Sequence, residues 1–187
     1  GADPRDNTAH SAAIIEHLPD ILRDEPGSLV LFSSRRQMLE VYAGLPADFR
    51  ERILVQGDLS KQELIRQHRA RVDKGQQSVI FGLASFAEGV DLPGKYCEHV
   101  VIAKIPFAVP DDPVEAALSE WIERNGGNPF MEIAVPDACL RLVQACGRLL
   151  RTEQDTGIIT LLDRRLVTQR YGKAILAALP PFRREIG

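Results

Sequence analysis

Short apolar runs alternate along this chain with longer stretches in which apolar residues recur every three or four positions. Five runs read as strands: Leu-Val-Leu-Phe within 28–33, Ile-Leu-Val at 53–55, the stretches 78–81 and 100–103, and 158–162. The runs are continuously apolar, the pattern of strands covered on both faces. Between them the spacing predicts helices over 9–22, 35–43, 60–74, 137–150 and 166–179. The first stops short of Pro26-Gly27 and the last at Pro180-Pro181. Ser60-Lys-Gln-Glu63 has the form of a capping box, in which the serine accepts the amide of residue 63 and the glutamate reaches back. Behind it Leu64, Ile65, His68 and Val72 lie near one helix face. Strands separated by helices predict an α/β fold, a parallel β-sheet flanked by helices.

The rhythm breaks at about 106–135. Pro106, Pro110 and Pro113 lead into a helical patch over 114–124, which ends in Asn-Gly-Gly-Asn-Pro. This segment reads as an insertion on the rim of the sheet. Residues 1–27 then form an N-terminal helix and linker, and 28–187 the domain.

Charge changes the picture only locally. The net charge of −3 argues against generic nucleic-acid binding. Residues 1–140 hold 14 basic and 22 acidic side chains, but residues 141–187 hold nine basic and four acidic. The C-terminal quarter is therefore positive, suited either to phosphates or to an ordinary solvated surface. Cys97, Cys139 and Cys146 form no even framework, so reduced thiols are expected, the last two packed in the core. Cys97-Glu-His99 has no second ligand pair, so no metal site is expected. No apolar run reaches the length of a membrane span, and no leader pattern opens the chain; a cytoplasmic protein is expected.

Three segments carry candidate chemistry. In Gln144-Ala-Cys-Gly-Arg148-Leu-Leu-Arg151, helical spacing puts Arg141, Gln144, Arg148 and Arg151 on one face of an otherwise apolar helix, expected to be largely buried. Guanidinium groups beside so much apolar surface need partners, and phosphate oxygens suit their planar fork; carboxylates elsewhere in the fold are the alternative. Gly82 to Gly94 follows a strand directly and holds Ser85, Glu88, Gly89 and Asp91. It suits a ribose hydroxyl or a backbone phosphate, or is simply a glycine-rich turn. Ser33, Ser34 and Arg35 follow the first strand, where a hydroxyl either caps the next helix or helps hold an anion. Trp121 and Phe130 can stack on bases or pack.

Taken together these segments resemble motifs IV, V and VI of superfamily-two helicases, in the XPD-like branch and closest to its bacterial DinG-type members. The strings are Leu-Val-Leu-Phe-Ser-Ser-Arg-Arg-Gln-Met (29–38), Val-Gln-Gly-Asp (55–58), Ser-Phe-Ala-Glu-Gly-Val-Asp-Leu-Pro-Gly (85–94), Ile-Pro-Phe (105–107) with Asp-Pro (112–113), and Gln-Ala-Cys-Gly-Arg-Leu-Leu-Arg (144–151). Asp163-Arg-Arg and Tyr171-Gly-Lys complete the likeness, which spans about 28 to 182. It implies the second, C-terminal RecA-like motor domain of an ATP-dependent DNA helicase. Arg148 and Arg151 would contact the γ-phosphate, Arg151 as arginine finger, with Gln144 beside the attacking water. Glu88, Gly89 and Asp91 would lie near the nucleotide, and Ser33, Ser34, Arg35 and Ser85 on the DNA backbone.

The phosphate loop Gly-x-x-x-x-Gly-Lys-[Ser/Thr] and an Asp-Glu-x-His element do not occur in this sequence. The resemblance implies a RecA-like P-loop NTPase fold without its own Walker A loop. The resemblance assigns the ATP cradle, the Mg²⁺ carboxylate and a 4Fe-4S cluster to an N-terminal half, the partner across the ATP cleft. It implies 5′→3′ unwinding, single-stranded and forked or R-loop DNA as partners, and an inactive isolated chain. Two rivals remain: a DNA-binding or regulatory module that keeps the motor fold without helicase activity, and an unrelated α/β enzyme using Glu88 and Asp91 as acid and base.

Overall fold

A computed structural model describes residues 7–107, 113–149, 157–163 and 171–178. Its centre is the parallel sheet that the apolar runs predict: β1 (Gly27–Phe32), β2 (Ile53–Val55), β3 (Ser78–Leu83), β4 (His99–Ile102) and β5 (Ile158–Leu161). The strand order is β2-β3-β1-β4-β5, every neighbouring pair being parallel. Leu29 at the centre of β1 lies between Ile80 and Val100.

Alternation along each strand sorts the apolar side chains onto two faces. Leu29, Leu31, Leu54, Ile80, Val100 and Ile102 point to one face. There they meet Leu64 of α4 (Lys61–Asp73), Ala138 and Leu142 of α6 (Val135–Leu149) and Ile175 of α7 (Gly172–Ala178). Val30, Phe32, Val79, Phe81 and Val101 point to the other face. They are covered by Ile14 and Leu18 of α1 (Asn7–Ile21), Met38 and Val41 of α2 (Arg35–Gly44) and Phe49 of α3 (Ala47–Arg50). Burying each of these large side chains contributes about 1.5–3 kcal/mol, which explains why strands covered twice carry no polar alternation.

Helix starts follow their caps. Ser34 Oγ accepts the Gln37 amide at 3.2 Å, and Ser60 Oγ accepts the Glu63 amide at 3.2 Å. The reciprocal half of the expected capping box does not form. The Glu63 carboxylate turns outward to Arg66 at 2.5 and 2.8 Å and to Gln67, contacts that hold its pKa down at about 2. A charged guanidinium one turn along offers the carboxylate more than a neutral amide does.

The rim segment contains α5 (Pro113–Arg124), as expected, followed by a wide turn over Phe130–Ala134 that runs straight into α6. Phe130 packs with Phe107 and Tyr171 in a three-ring cluster, centroids 5.1 to 5.7 Å apart, so this ring is used in packing. Trp121 is 62% exposed. For the predicted 166–179 helix, the described part is Gly172–Ala178; residues 164–170 and 179–187 lie outside the described residues.

The amino ends of the strands form a closed polar layer. His68 of α4 is fully buried; its Nε2 lies 2.6 Å from the Tyr96 carbonyl and its Nδ1 2.7 Å from the Ser78 hydroxyl. A carbonyl only accepts, so Nε2 carries the proton and Ser78 donates to Nδ1. Burial pushes the His68 pKa down, opposed by the Tyr96 bond and reinforced by Arg71 and Arg69. His99 opens β4 with Nε2 2.6 Å from the Thr160 hydroxyl and Nδ1 3.5 Å from Glu25, and burial lowers its pKa to about 4. Tyr96 also donates its hydroxyl to Asp73 at 2.7 Å. These histidines show no partner pattern in the sequence because their partners are hydroxyls and carbonyls far away along the chain.

Candidate functional site

The opposite edge, where the strands end, gathers the candidate residues. Ser33, Ser34 and Arg35 follow β1 directly; Ser85, Glu88, Gly89 and Asp91 follow β3, which pairs with β1. All seven are exposed. In an open parallel sheet this is the edge where loops from neighbouring strands can converge on one ligand.

Each residue has a definite setting. Ser34 is the N-cap of α2. Arg35 donates to the Gln56 carbonyl at 3.0 Å and lies across Gly57, where any β-carbon would stand 2.6 Å from its guanidinium. Gly57 has φ +105°, so this position suits glycine on both counts. Gln56 in turn accepts the Leu83 amide through Oε1 at 2.8 Å, which ties the end of β2 to the start of the loop bearing Ser85. Ser85 sits on a single 3₁₀ turn, Ala84–Ala87, whose Phe86 and Ala87 are buried. Gly89 takes φ +75° between Glu88 and Asp91. The backbone carbonyls of these two acidic residues accept from Lys61 at 2.7 Å and Arg69 at 3.3 Å.

Helix α6 packs against that 3₁₀ turn, which brings the third segment to the same edge. Arg141 and Leu142 line a crevice there with Phe32, Ala84, Ile102 and Lys104. Arg141 is not held for a ligand: its Nε donates to Asp137 at 2.9 Å, one turn back. Gln144 is exposed. Arg148 belongs to α6; its side chain, and all of Arg151, lie outside the described residues. The expectation of a largely buried helix is met only in part among the described turns, and the side chains of 145–150 lie outside the described residues. Leu140 is 55% exposed, and Cys139 is only half-buried, enough to push its thiol pKa up. Among the described side chains of α6, Val135, Ala138 and Leu142 are the ones buried in the core.

Cys97 is buried, its thiol directed at the His99 carbonyl, while the His99 ring turns to Thr160. Among the described residues no helix is long and apolar enough to cross a membrane. Sequence reasoning passed over Gln56, Lys61 and Arg69. They act on backbone atoms, and a backbone carbonyl leaves no trace in a side-chain pattern.

Comparison with known proteins matches residues 19–182 to the family described as helicase C-terminal domain. The ATP-dependent DNA helicase DinG of Photobacterium profundum is 48% identical over 176 residues, which is 92% of this chain and 25% of that protein. The protein of the same name from Escherichia coli (strain K12) is 42% identical over 156 residues, covering 83% of this chain and 22% of its own length. The chain thus spans about a quarter of the length of the curated relatives it matches. Among solved structures, an XPD helicase aligns with a TM-score of 0.68 at 22% identity, over 90% of this chain and 30% of that one. The C-terminal domain of the DEAD-box protein Dbp5 aligns at 0.51 and 16% identity, over 89% and 76%. At such identities these are likenesses of fold.

Proposed function

The chain belongs to the helicase C-terminal domain family, and we propose that it serves as the second motor domain of an ATP-dependent DNA helicase of the DinG type. The supporting observation is convergence: three segments far apart in sequence bring exposed polar residues to the carboxyl edge of one parallel sheet, with α6 packed beside the Ser85 turn. An edge built this way is one wall of a site. The other wall is the N-terminal RecA-like domain, which brings the phosphate loop and the carboxylate for Mg²⁺.

The chemistry needed is positive charge delivered to the γ-phosphate as negative charge spreads over its equatorial oxygens. Arg148 and Arg151, three positions apart in the sequence, supply it, and Gln144, four positions before Arg148, orients the attacking water. Mg²⁺ would be held by the carboxylate of that other domain and would supply charge neutralisation to the phosphates. Glu88, Gly89 and Asp91 serve the nucleotide, and Ser33, Ser34, Arg35 and Ser85 take the phosphates of single-stranded DNA. Closure on ATP brings the arginines in; hydrolysis releases them, and alternating closure moves the pair of domains along the strand. The same likeness carries 5′→3′ polarity, forked or R-loop substrates, a bacterial cytoplasmic location and a 4Fe-4S cluster outside this chain.

Steady-state ATPase assays test the reading. The purified chain is expected to be inactive with or without single-stranded DNA, and the full-length helicase active and DNA-stimulated. ATP turnover by the chain alone overturns it.

A further inference from the structure

The connection from β3 to β4 crosses β1 without an α-helix. It contains only two 3₁₀ turns, Ala84–Ala87 and Gly94–Tyr96. An irregular crossover cannot satisfy its own backbone carbonyls, which must find partners elsewhere. Three of them find side chains of α4. Lys61 donates to the Glu88 carbonyl at 2.7 Å, Arg69 to the Asp91 carbonyl at 3.3 Å, and His68 to the Tyr96 carbonyl at 2.6 Å. The two cations repeat one device: each also lies over an aromatic ring of the same connection, Lys61 over Phe86 at 5.2 Å and Arg69 over Tyr96 at 4.8 Å. A ring face below and a carbonyl ahead fix a long side chain more firmly than either contact alone. The two gripped carbonyls, Glu88 and Asp91, flank Gly89 at φ +75°, one of the two positive-φ glycines of the connection.

We infer that Lys61 and Arg69 are positioning residues, a two-point clamp that sets where Glu88, Gly89 and Asp91 stand at the nucleotide and DNA edge. The inference rests on the motor reading above. A second pair of contacts ties the same loop to the DNA-facing turn. The Gln56 side chain, just upstream of α4, holds the Leu83 amide at the start of the same loop, and Arg35, beside the DNA-facing serines, holds the Gln56 carbonyl. A shift of the DNA-facing turn is thereby passed to the loop that flanks the nucleotide.

Lys61 is exposed at the first position of α4, so its truncation leaves the Ser60 cap and the core in place. In the full-length helicase, Lys61→Met is expected to lower DNA-stimulated kcat roughly tenfold while KM for ATP stays within about twofold, since misplacement of catalytic surroundings acts on turnover. Lys61→Arg, which keeps a donor at that point, is expected to recover most of the rate. Hydrogen exchange gives the readout that needs no ATP: amides in residues 84–92 exchange faster in Lys61→Met and Arg69→Met, with β1 and β4 unchanged. Full turnover in Lys61→Met, failure of Lys61→Arg to rescue, or unchanged exchange in residues 84–92 overturns the clamp. Arg151→Ala is the control: loss there beside an intact Lys61→Met sinks the clamp alone, whereas turnover surviving Arg151→Ala sinks the motor reading itself.

Discussion

The two ends of the sheet handle polar groups in opposite ways. At the amino ends, His68, Ser78 and His99 are buried and bonded to neighbouring hydroxyls or carbonyls. At the carboxyl ends, Ser33, Arg35, Ser85, Glu88, Asp91 and Gln144 stand exposed, and the fold spends backbone contacts on fixing the loops that carry them. A buried polar group left unpaired costs stability, so the first layer is paired largely within the domain, with Ser28 Oγ and His99 Nδ1 left without a hydrogen bond. An exposed one costs little and can wait for a ligand. The amino edge therefore works for folding, and the carboxyl edge is left open to a ligand, although serines serve at both.

Substitutions can break this division. The largest expected effect is at the carboxyl edge: Arg151→Ala in the full-length helicase lowers ATP turnover by about 10³- to 10⁵-fold, the usual worth of an arginine finger. Urea unfolding of the same variant is expected to give an unchanged midpoint. At the amino edge the sense reverses. His68→Ala leaves a cavity and strands the Tyr96 carbonyl and the Ser78 hydroxyl, at a cost of about 2–4 kcal/mol in urea unfolding. ATP turnover per folded molecule is expected to stay near wild type.

Acid sharpens the contrast further. His99 has its pKa lowered from 6.5 to about 4, so it folds neutral; its stabilisation is complete above pH 6.5 and lost as pH falls towards 4. His68 shifts in the same direction. Glu25, raised by burial and by Asp24, acts in the opposite sense: its contribution is present below 4.5 and lost as pH rises through its folded value, so it partly offsets the loss. A net fall in stability is expected across that window. Unfolding midpoints measured from pH 7.5 to 4 check it, with a shallower slope in His99→Gln. The smallest effect belongs where the two roles meet. Ser34→Ala removes the α2 cap at about 1 kcal/mol and is also expected to weaken single-stranded DNA binding, read by fluorescence anisotropy.

Sheet and helices were legible because a strand covered on both faces has to be apolar throughout: 53–55 matches β2 to the residue, and the other strand limits fall within two positions. The short α3 was not, since Ala-Asp-Phe-Arg after a proline carries no periodicity at one turn's length. The candidate edge was legible in its side chains, where hydroxyl, carboxylate and glycine cluster after a strand. Its support was not. Lys61 and Arg66 are equally exposed cations on α4, and only the fold distinguishes the one that reaches the Glu88 carbonyl from the one that pairs with Glu63. Burial on α6 was legible only in part, because an apolar helix with a polar stripe does not say how far round it the core reaches: Leu142 is buried and Leu140 exposed.

The central place of β1 in the sheet also has a kinetic consequence. Its residue Gly27 lies beside Ser78 on one flank, and Ser28 beside His99 on the other. At roughly 5–20 residues per second on a ribosome, β1 waits several seconds for its first neighbour and longer for its second. Pairings so distant in sequence close slowly, on the order of milliseconds to seconds even in a finished chain. The first strand to be synthesised is thus completed only after residue 102 has emerged, and in that interval its apolar faces are open to chaperones and to other nascent chains.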